Sequence, residues 1–202
     1  MIEIPAIVGL ASGSPRRRQL LESMGLDVHL LPAGIDESRQ SNEPLADFVA
    51  RLAIEKARFG VTAGLPMPMP VLGGDTIVVS DEEVFGKPRD EEDAVRMLLR
   101  LSGRAHIVLT SIAVLWGVQS QVRVVSSEIH FAALTEGDAR DYWASGEPEG
   151  KAGAYAIQGL GARFVEHLNG SHSAVVGLPV HETWQMLRSM SEELNAGKKH
   201  HA

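Results

Sequence analysis

Asp75 is the residue of this 202-residue chain whose setting most clearly indicates chemistry. It stands in Gly73-Gly74-Asp75-Thr76, inside an otherwise apolar run that predicts a strand. Glycines within a strand allow a close approach to the backbone, and breaks in a local pattern concentrate at functional sites. A carboxylate there could bind Mg²⁺ or orient a water molecule. The alternative is an ordinary acid in a bulge or a turn.

The turn from Leu10 to Arg18, with the sequence LASGSPRRR, is a candidate anion site. It follows a predicted strand, and Ser14 and Pro15 are suited to the N-cap and first position of a helix. The N-terminal end of a helix favours anions, and Arg16 and Arg17 add donors that match phosphate oxygens. The alternative is a solvated basic turn.

Lys56 lies on the apolar stripe of a predicted helix, four residues after Leu52 and eight after Phe48. A lysine at such a position either extends its ammonium group to the end of the stripe or points into a site. The spacing alone leaves both interpretations open.

Three further residues are weaker candidates. Lys87 stands in the short loop Gly86-Lys87-Pro88, and Glu37 follows Asp36 before a helix. Gln158 belongs to KAGAYAIQG (residues 151–159), where a close backbone and a side-chain amide could read the edge of a base. The alternatives are a charged loop for the acids and a glycine-rich turn for the stretch around Gln158.

Composition excludes several classes of protein. The formal net charge is −7 and only 5% of residues are aromatic, which argues against a general nucleic-acid binder. No apolar run reaches about 18 residues, so we expect no membrane span, and the first residues do not resemble a secretory signal. The absence of cysteine fits a reducing compartment. A binder of anions with this net charge must concentrate its positive charge locally.

The pattern of elements predicts an α/β fold, because strand-like and helix-like segments alternate in the first half. We expect strands at 6–12, 71–79, 106–116 and 121–133, and helices at 15–24, 44–59, 90–103, 135–145 and 179–194. A hairpin is predicted around residues 80–83 and another at 162–176, with its turn at Asn169-Gly170. Residues 60–70 and 146–161 are predicted to be irregular, and the tail 196–202 to be frayed.

Six short stretches of the sequence, taken in their order along the chain, resemble the Maf family of nucleotide pyrophosphatases over about residues 7–188. They are LASGSPRR from Leu10, RLAIEKA from Arg51, GDTIV from Gly74, GKPRD from Gly86, LSGRAH from Leu101 and VGLP from Val176. The stretch KAGAYAIQG is similar to the branch that hydrolyses dTTP and UTP rather than to the 7-methyl-GTP branch. The sequence departs from the family pattern at Ala156, where glycine is expected, and at Gly74, where alanine is usual.

The resemblance implies one domain over residues 1–202 with two lobes and a central cleft. It further implies a long twisted mixed sheet flanked by helices, as in inosine triphosphate pyrophosphatases. It implies hydrolysis of dTTP and UTP to the monophosphate and pyrophosphate, with Mg²⁺ or Mn²⁺, by a cytoplasmic homodimer that binds neither nucleic acid nor membrane. The implied roles are catalysis for Lys56, Asp75 and Lys87, metal binding for Glu37 and Asp75, and substrate binding for Ser14, Arg16, Arg17, Thr76 and Gln158.

Two alternatives remain open at this stage. One is a nucleotide-binding regulator of cell division without catalytic activity. The presence of both Asp75 and Glu37 argues against it, because binding alone does not require two acids among cations. The other is a purine pyrophosphatase of the inosine triphosphate type, against which Arg16, Arg17 and the stretch around Gln158 argue.

Overall fold

The computed structural model describes the backbone of residues 4–199 and the side chains of residues 4–196. Within these residues the strands are β1 (Ile7–Ala11), β2 (Asp27–Leu31), β3 (Val71–Ser80), β4 (Glu83–Phe85), β5 (Ala105–Trp116), β6 (Gln119–Phe131) and β7 (Val165–Asn169). The helices are α1 (Pro15–Ser23), α2 (Leu45–Thr62), α3 (Glu91–Leu101), α4 (Glu136–Trp143), α5 (His172–Val176) and α6 (Val180–Lys199). No helix in the part described is long and apolar enough to cross a membrane.

The strands form one seven-stranded sheet that mixes parallel and antiparallel pairs. Its order is β2-β1-β3-β5-β6-β7, with β4 attached to β3. Strand β1 runs parallel to both β2 and β3, whereas β3–β4 and β6–β7 are antiparallel pairs. The predicted α/β class with a mixed sheet and flanking helices is therefore confirmed.

The chain divides into two compact units. The first contains the described residues up to Asp75, Ser111–Val124 and the described residues from Gly177 onward, and the second contains Thr76–Thr110 and Val125–Val176. Each unit has its own apolar core, which includes Leu10, Leu72 and Ile112 in the first and Leu98, Ile129 and Phe131 in the second.

Helix α2 packs directly on β3 in the first unit because residue 73 is glycine. A Cβ atom added to Gly73 would clash with the carbonyl oxygen of Ala53 and would lie 2.6 Å from the amide nitrogen of Ala57. At Gly60, an added Cβ would lie 2.8 Å from the Cβ of Ala11 in β1. At Gly73 the backbones of the helix and the sheet are therefore in direct contact, and at Gly60 the helix backbone lies directly on the Ala11 side chain.

Most predicted helix starts are confirmed by their caps. The Ser14 side chain accepts a hydrogen bond from the Arg17 amide, and the Asp90 side chain accepts one from Asp93. Thr135 begins α4 in a full capping box with its side-chain partner three residues later. These local signals are short-range hydrogen bonds, so the sequence alone is enough to find them.

The hairpin predicted at 162–176 is wrong. Strand β7 pairs with β6 instead, and the second predicted strand is helix α5. The turn residue Gly170 has φ 137°, and the hydroxyl of Ser171 accepts a hydrogen bond from the Ala174 amide. A serine cap after the glycine therefore starts a helix where an Asn-Gly turn predicted a returning strand.

Three other features differ from the predictions, namely the ends of two helices and one additional strand. Helix α2 continues to Thr62, into the segment expected to be a loop, and Gly60 in this extension packs closely on β1. Strand β2 was not predicted. Helix α6 reaches Lys199, so part of the tail expected to fray is helical, and residues 200–202 lie outside the described residues.

We expect His106 to make the fold sensitive to acid. Its ring is 2% exposed, its Nε2 lies 2.9 Å from the Tyr155 hydroxyl, and burial lowers its pKa to about 4. An unfolded histidine has a pKa of about 6.5, so the unfolded state binds the proton first as pH falls. The free energy of unfolding should drop by about 3 kcal/mol between pH 6.5 and pH 4.

Urea denaturation of wild type and His106→Gln across this pH range measures the effect. In His106→Gln, the free energy of unfolding should lose the part of its pH dependence that comes from the histidine. His29→Gln, which changes an exposed histidine, should keep the pH dependence of wild type. Equal slopes for wild type and His106→Gln would contradict the assignment.

Candidate active site

The turn before α1 is organised by two serines. The Ser12 hydroxyl accepts hydrogen bonds from the Ser14 amide, at 3.2 Å, and from Arg17 Nη1, at 3.0 Å. The amide of Arg17 in turn donates to Ser14. Sequence reasoning found Ser14 as the cap but missed Ser12, whose position at the end of β1 carries no capping signal. The result is a prepared helix N-terminus of the kind that binds anions.

The two candidate arginines occupy different environments. Arg17 is buried, and its Nε donates to the Gly177 carbonyl at 2.8 Å. Burial lowers its pKa, whereas the nearby charges of Asp75 and Glu37 raise it. Arg16 is less deeply buried, and burial lowers its pKa as well. Arg17 is therefore fixed by the protein, while Arg16 stands closer to solvent.

Gly74, a departure from the family pattern, has a structural consequence here. An added Cβ would lie 3.0 Å from Arg17 Nε and 3.1 Å from the Ser111 carbonyl oxygen. Contacts of that length are tight, so alanine at this position would require its neighbours to shift. Glycine gives the buried guanidinium room beside β3.

Lys56 does not extend to solvent from its helix. It is 5% exposed, and its Nζ lies 2.8 Å from Asp75 Oδ1 and 2.8 Å from Glu37 Oε1. The two carboxylate oxygens are therefore no more than twice 2.8 Å, or 5.6 Å, apart. The ammonium group therefore points to these two acids rather than to solvent at the end of the apolar stripe.

Glu37 reaches this cluster from an irregular segment that Arg51 holds in place. Arg51 binds both carboxylate oxygens of Glu43, at 2.7 and 2.9 Å, and donates to the Ser38 carbonyl at 3.0 Å. The hydrogen bonds from Arg51 lower the pKa of Glu43 to about 2. Sequence reasoning assigned Arg51 no role beyond its place at the start of the RLAIEKA stretch, five residues before Lys56 on the same helix.

Asp75 and Glu37 fit a divalent cation that is shared with a substrate. Residues 4–199 hold no group of three or more acids and histidines able to bind a metal ion. Magnesium, however, commonly uses one or two carboxylates and completes its shell with substrate phosphates and water. The separation of at most 5.6 Å between two oxygens allows both to contribute after a small movement of the half-exposed Glu37.

The remaining candidates belong to the second unit. Thr76, directly after Asp75 in β3, has its hydroxyl 3.1 Å from that of Thr110. Lys87 is exposed in the loop after β4, and Gln158 is exposed in the segment after α4. The amide of Gly153, in that segment, donates to the carbonyl of Gly86 at 3.0 Å. The loop of Lys87 is thereby tied to the start of the Gln158 segment.

A carboxylate buttress, formed by Glu147 and Tyr142, supports the segment of Gln158. The Glu147 carboxylate accepts hydrogen bonds from the Tyr142 hydroxyl at 2.6 Å and from the Leu160 and Gly161 amides, each at 2.9 Å. The Tyr142 hydroxyl accepts from the Ala156 amide at 3.0 Å. Sequence reasoning missed this buttress because its members come from a helix, a turn and the segment itself.

Ala156, the other departure from the family pattern, introduces no backbone strain. The residues with positive φ in this segment are Gly146, Gly150, Gly153 and Ala154, and Ala156 is not one of them. Alanine at 156 therefore keeps the backbone amide that bonds to Tyr142.

The first unit thus brings together Ser14, Arg16, Arg17, Glu37, Lys56 and Asp75, and the second unit carries Thr76, Lys87 and Gln158. A prepared helix N-terminus near a lysine and two carboxylates defines an α/β protein suited to an anionic substrate. The family model described as Maf-like protein matches residues 7–190, and the chain belongs to this family.

Curated relatives and one solved structure are similar to the chain. It is 47% identical over 191 residues to the dTTP/UTP pyrophosphatase of Escherichia coli O157:H7, covering 95% of this chain and 96% of that protein. The protein of that name from Vibrio parahaemolyticus is 47% identical over 89% of this chain and 94% of its own length. The Staphylococcus aureus Ham1 protein aligns at TM-score 0.45 and 13% identity, covering 62% of this chain and 72% of that one.

We expect Lys56→Met to lower stability strongly. The substitution keeps most of the side-chain volume but leaves the Asp75 and Glu37 carboxylates facing each other without their shared cation. Breaking a buried ion pair by removing one partner costs about 3 kcal/mol or more. Urea denaturation at pH 7 measures the loss.

The same exchange at the exposed Lys87 is the matched control, and it should change the free energy of unfolding by less than about 0.5 kcal/mol. A Lys56→Met variant as stable as Lys87→Met would mean that the ion pairs contribute nothing.

Proposed function

We propose that this chain is a nucleoside triphosphate pyrophosphatase that hydrolyses dTTP and UTP to the monophosphate and pyrophosphate. The proposal rests on relatives of that name that share 47–48% of residues over 88–95% of the chain. At the atomic level, the observation that supports the proposal most is that the Lys56 ammonium group pairs with both Asp75 and Glu37.

The proposed reaction is attack of water on the α-phosphorus. The new bond joins the water oxygen to that phosphorus, the bond from phosphorus to the bridging oxygen of the β-phosphate breaks, and pyrophosphate leaves. Such a reaction depends mainly on positioning and on stabilisation of charge. The chain carries a net charge of −7, so cations near the substrate must supply this stabilisation.

Each residue of the first unit has a separate task in this proposal. Ser14 and the amides of its turn bind phosphate oxygens, and Arg16 adds guanidinium donors. Arg17 supports the same turn from its buried position. Lys56 keeps the two acids together before the substrate enters. Asp75 and Glu37 position the attacking water and would hold a divalent cation.

Mg²⁺ or Mn²⁺ would supply charge neutralisation on the phosphate oxygens when bound. We also propose that Lys87 contacts the phosphates and that Thr76 and Gln158 set specificity for the base. The working enzyme in this proposal is a cytoplasmic homodimer in which the whole chain, residues 1–202, is a single domain. It takes nucleotides rather than nucleic acids.

Asp75→Asn should keep the fold and lose turnover. The asparagine amide oxygen can still accept a hydrogen bond from Lys56, and only a charge and a proton acceptor disappear. Loss of a residue that handles metal or water should lower kcat at least about 100-fold. Pyrophosphate released from UTP and dTTP with Mg²⁺ or Mn²⁺ measures the effect, and chelation of the metal should abolish wild-type activity.

Asp47→Asn makes the same chemical change at an exposed position in the first turn of α2, so it should leave kcat near the wild-type value. The assignment of Asp75 would be wrong if both variants turned over at the wild-type rate. A wild-type protein that binds these nucleotides and releases no pyrophosphate would instead indicate a regulator.

Gln158 should favour UTP and dTTP over CTP. Its amide can pair with the edge of uracil or thymine, where an N3–H donor lies beside carbonyl acceptors. Cytosine carries an amino donor and a bare N3 at these positions, so hydrogen-bonding groups would stay unpaired at about 1–3 kcal/mol each. For one unpaired group that corresponds to roughly 5- to 150-fold in kcat/KM.

Gln158→Ala should lower kcat/KM for UTP and narrow the ratio of UTP to CTP. Uracil and thymine differ by one methyl group, so weak discrimination between UTP and dTTP is expected. Equal kcat/KM for CTP and UTP in the wild type would refute this role of Gln158 while leaving the pyrophosphatase proposal intact.

A further inference from the structure

The carboxylate buttress of Glu147 and Tyr142 bonds to the backbone at two separate places. Glu147 Oε2 accepts from the Leu160 amide, and Oε1 accepts from both the Gly161 amide and the Tyr142 hydroxyl. The fully buried Tyr142 hydroxyl in turn accepts from the Ala156 amide. All five residues belong to the second unit, so these contacts lie within one compact body.

The exposed Gln158 lies on a turn between these two places. The carbonyl oxygen of Ala156 accepts a hydrogen bond from the amide three residues later, at 3.1 Å, which closes a β-turn with Gln158 at its third position. The first residue of the turn bonds to Tyr142, and the residue directly after the turn bonds to Glu147. The buttress therefore holds the turn at both ends.

Two glycines allow the buttress to lie directly against the turn. A Cβ atom added to Gly159 would clash with the Glu147 carboxylate, and one added to Gly161 would lie 2.6 Å from the Tyr142 hydroxyl oxygen. Neither glycine has a positive φ, so the backbone conformation does not require glycine at these positions. What requires it is the close approach of the buttress.

We infer that Glu147 is a positioning residue for base selection, which acts by holding the turn that carries Gln158. This role rests on the proposed function, in which Gln158 pairs with the edge of the base. A side-chain amide distinguishes two bases only if it cannot move to a place where mismatched groups avoid each other. A loosened turn would give Gln158 that freedom, and the penalty for cytosine would fall.

Glu147→Gln tests this role at nearly constant shape. A carboxylate only accepts hydrogen bonds, whereas the new amide would carry one NH₂ group, which donates. In one orientation the NH₂ group faces the Leu160 amide, and in the other it faces the Gly161 amide, so one hydrogen bond is lost in either case. The ratio of kcat/KM for UTP to that for CTP should narrow by about 3- to 10-fold. An unchanged ratio would overturn the inference.

Two further variants frame this result. Glu149→Gln makes the same change at an exposed position two residues away and should keep the UTP/CTP ratio within twofold of wild type. Tyr142→Phe removes the hydroxyl that joins Ala156 to the carboxylate, so it should narrow the ratio as well. It replaces Glu147→Gln if that variant does not fold. Equal narrowing in Glu149→Gln would overturn the inference, because the effect would then be one of charge alone.

The ratio also separates positioning from a loss of stability. A smaller fraction of folded enzyme lowers kcat/KM for UTP and CTP by the same factor and leaves their ratio unchanged. In a Gln158→Ala background, Glu147→Gln should leave the ratio within twofold of the Gln158→Ala value. A narrowing of the same size in both backgrounds would overturn the inference, because Glu147 would then act without Gln158.

Amide hydrogen exchange measures the hold on the turn without reference to activity. The amides of Leu160 and Gly161 should exchange at least about 10-fold faster in Glu147→Gln than in wild type, because their acceptor is weakened. The amides in the interior of α3 should exchange at the wild-type rate, which shows that the change is local. Equal rates for Leu160 and Gly161 in both proteins would contradict the role of Glu147.

The kinetics also distinguish failure of this role from failure of the proposed function. A wild-type protein that releases no pyrophosphate from UTP, dTTP or CTP contradicts both. A wild-type enzyme that prefers UTP to CTP, and whose preference does not respond to Glu147→Gln or Tyr142→Phe, contradicts the role of Glu147 alone.

Discussion

The buried ammonium group of Lys56 is the interaction on which the first unit depends. A charge that is removed from water is tolerated only with partners, and Lys56 has two carboxylates within 2.8 Å. This requirement explains features that are otherwise unrelated. The irregular segment must deliver Glu37, Arg51 must hold that segment to α2, and Asp75 must stand inside a strand that would otherwise be apolar.

The two units carry different kinds of groups. The first unit contains a helix N-terminus, arginines, a lysine and acids, all suited to charge. The candidates of the second are mainly neutral hydrogen-bonding groups. They are Thr76, whose hydroxyl lies 3.1 Å from that of the buried Thr110, and the exposed Gln158. Asp75 and Thr76 are consecutive residues in β3, and the division between the two units falls between them.

Sequence reasoning succeeded where the signal is local. Ser14, Asp90 and Thr135 are caps whose partners lie three residues away. It failed where the partner is distant in sequence. Arg51 and the Glu147 buttress act on loops that come from other parts of the chain, and β7 pairs with β6 rather than with the segment after its turn. No local pattern encodes such partners.

The direct contact between Gly73 and α2 restricts which sequences this fold can use. Every other amino acid begins with a Cβ atom, and at position 73 that atom would meet the backbone of Ala53 and Ala57 rather than a flexible side chain. The neighbours cannot rotate away, so the helix itself would have to move, and Lys56 with it. Position 73 therefore has almost no mutational tolerance, and a variant there would lose activity through displacement of the helix while every residue of the site remained unchanged.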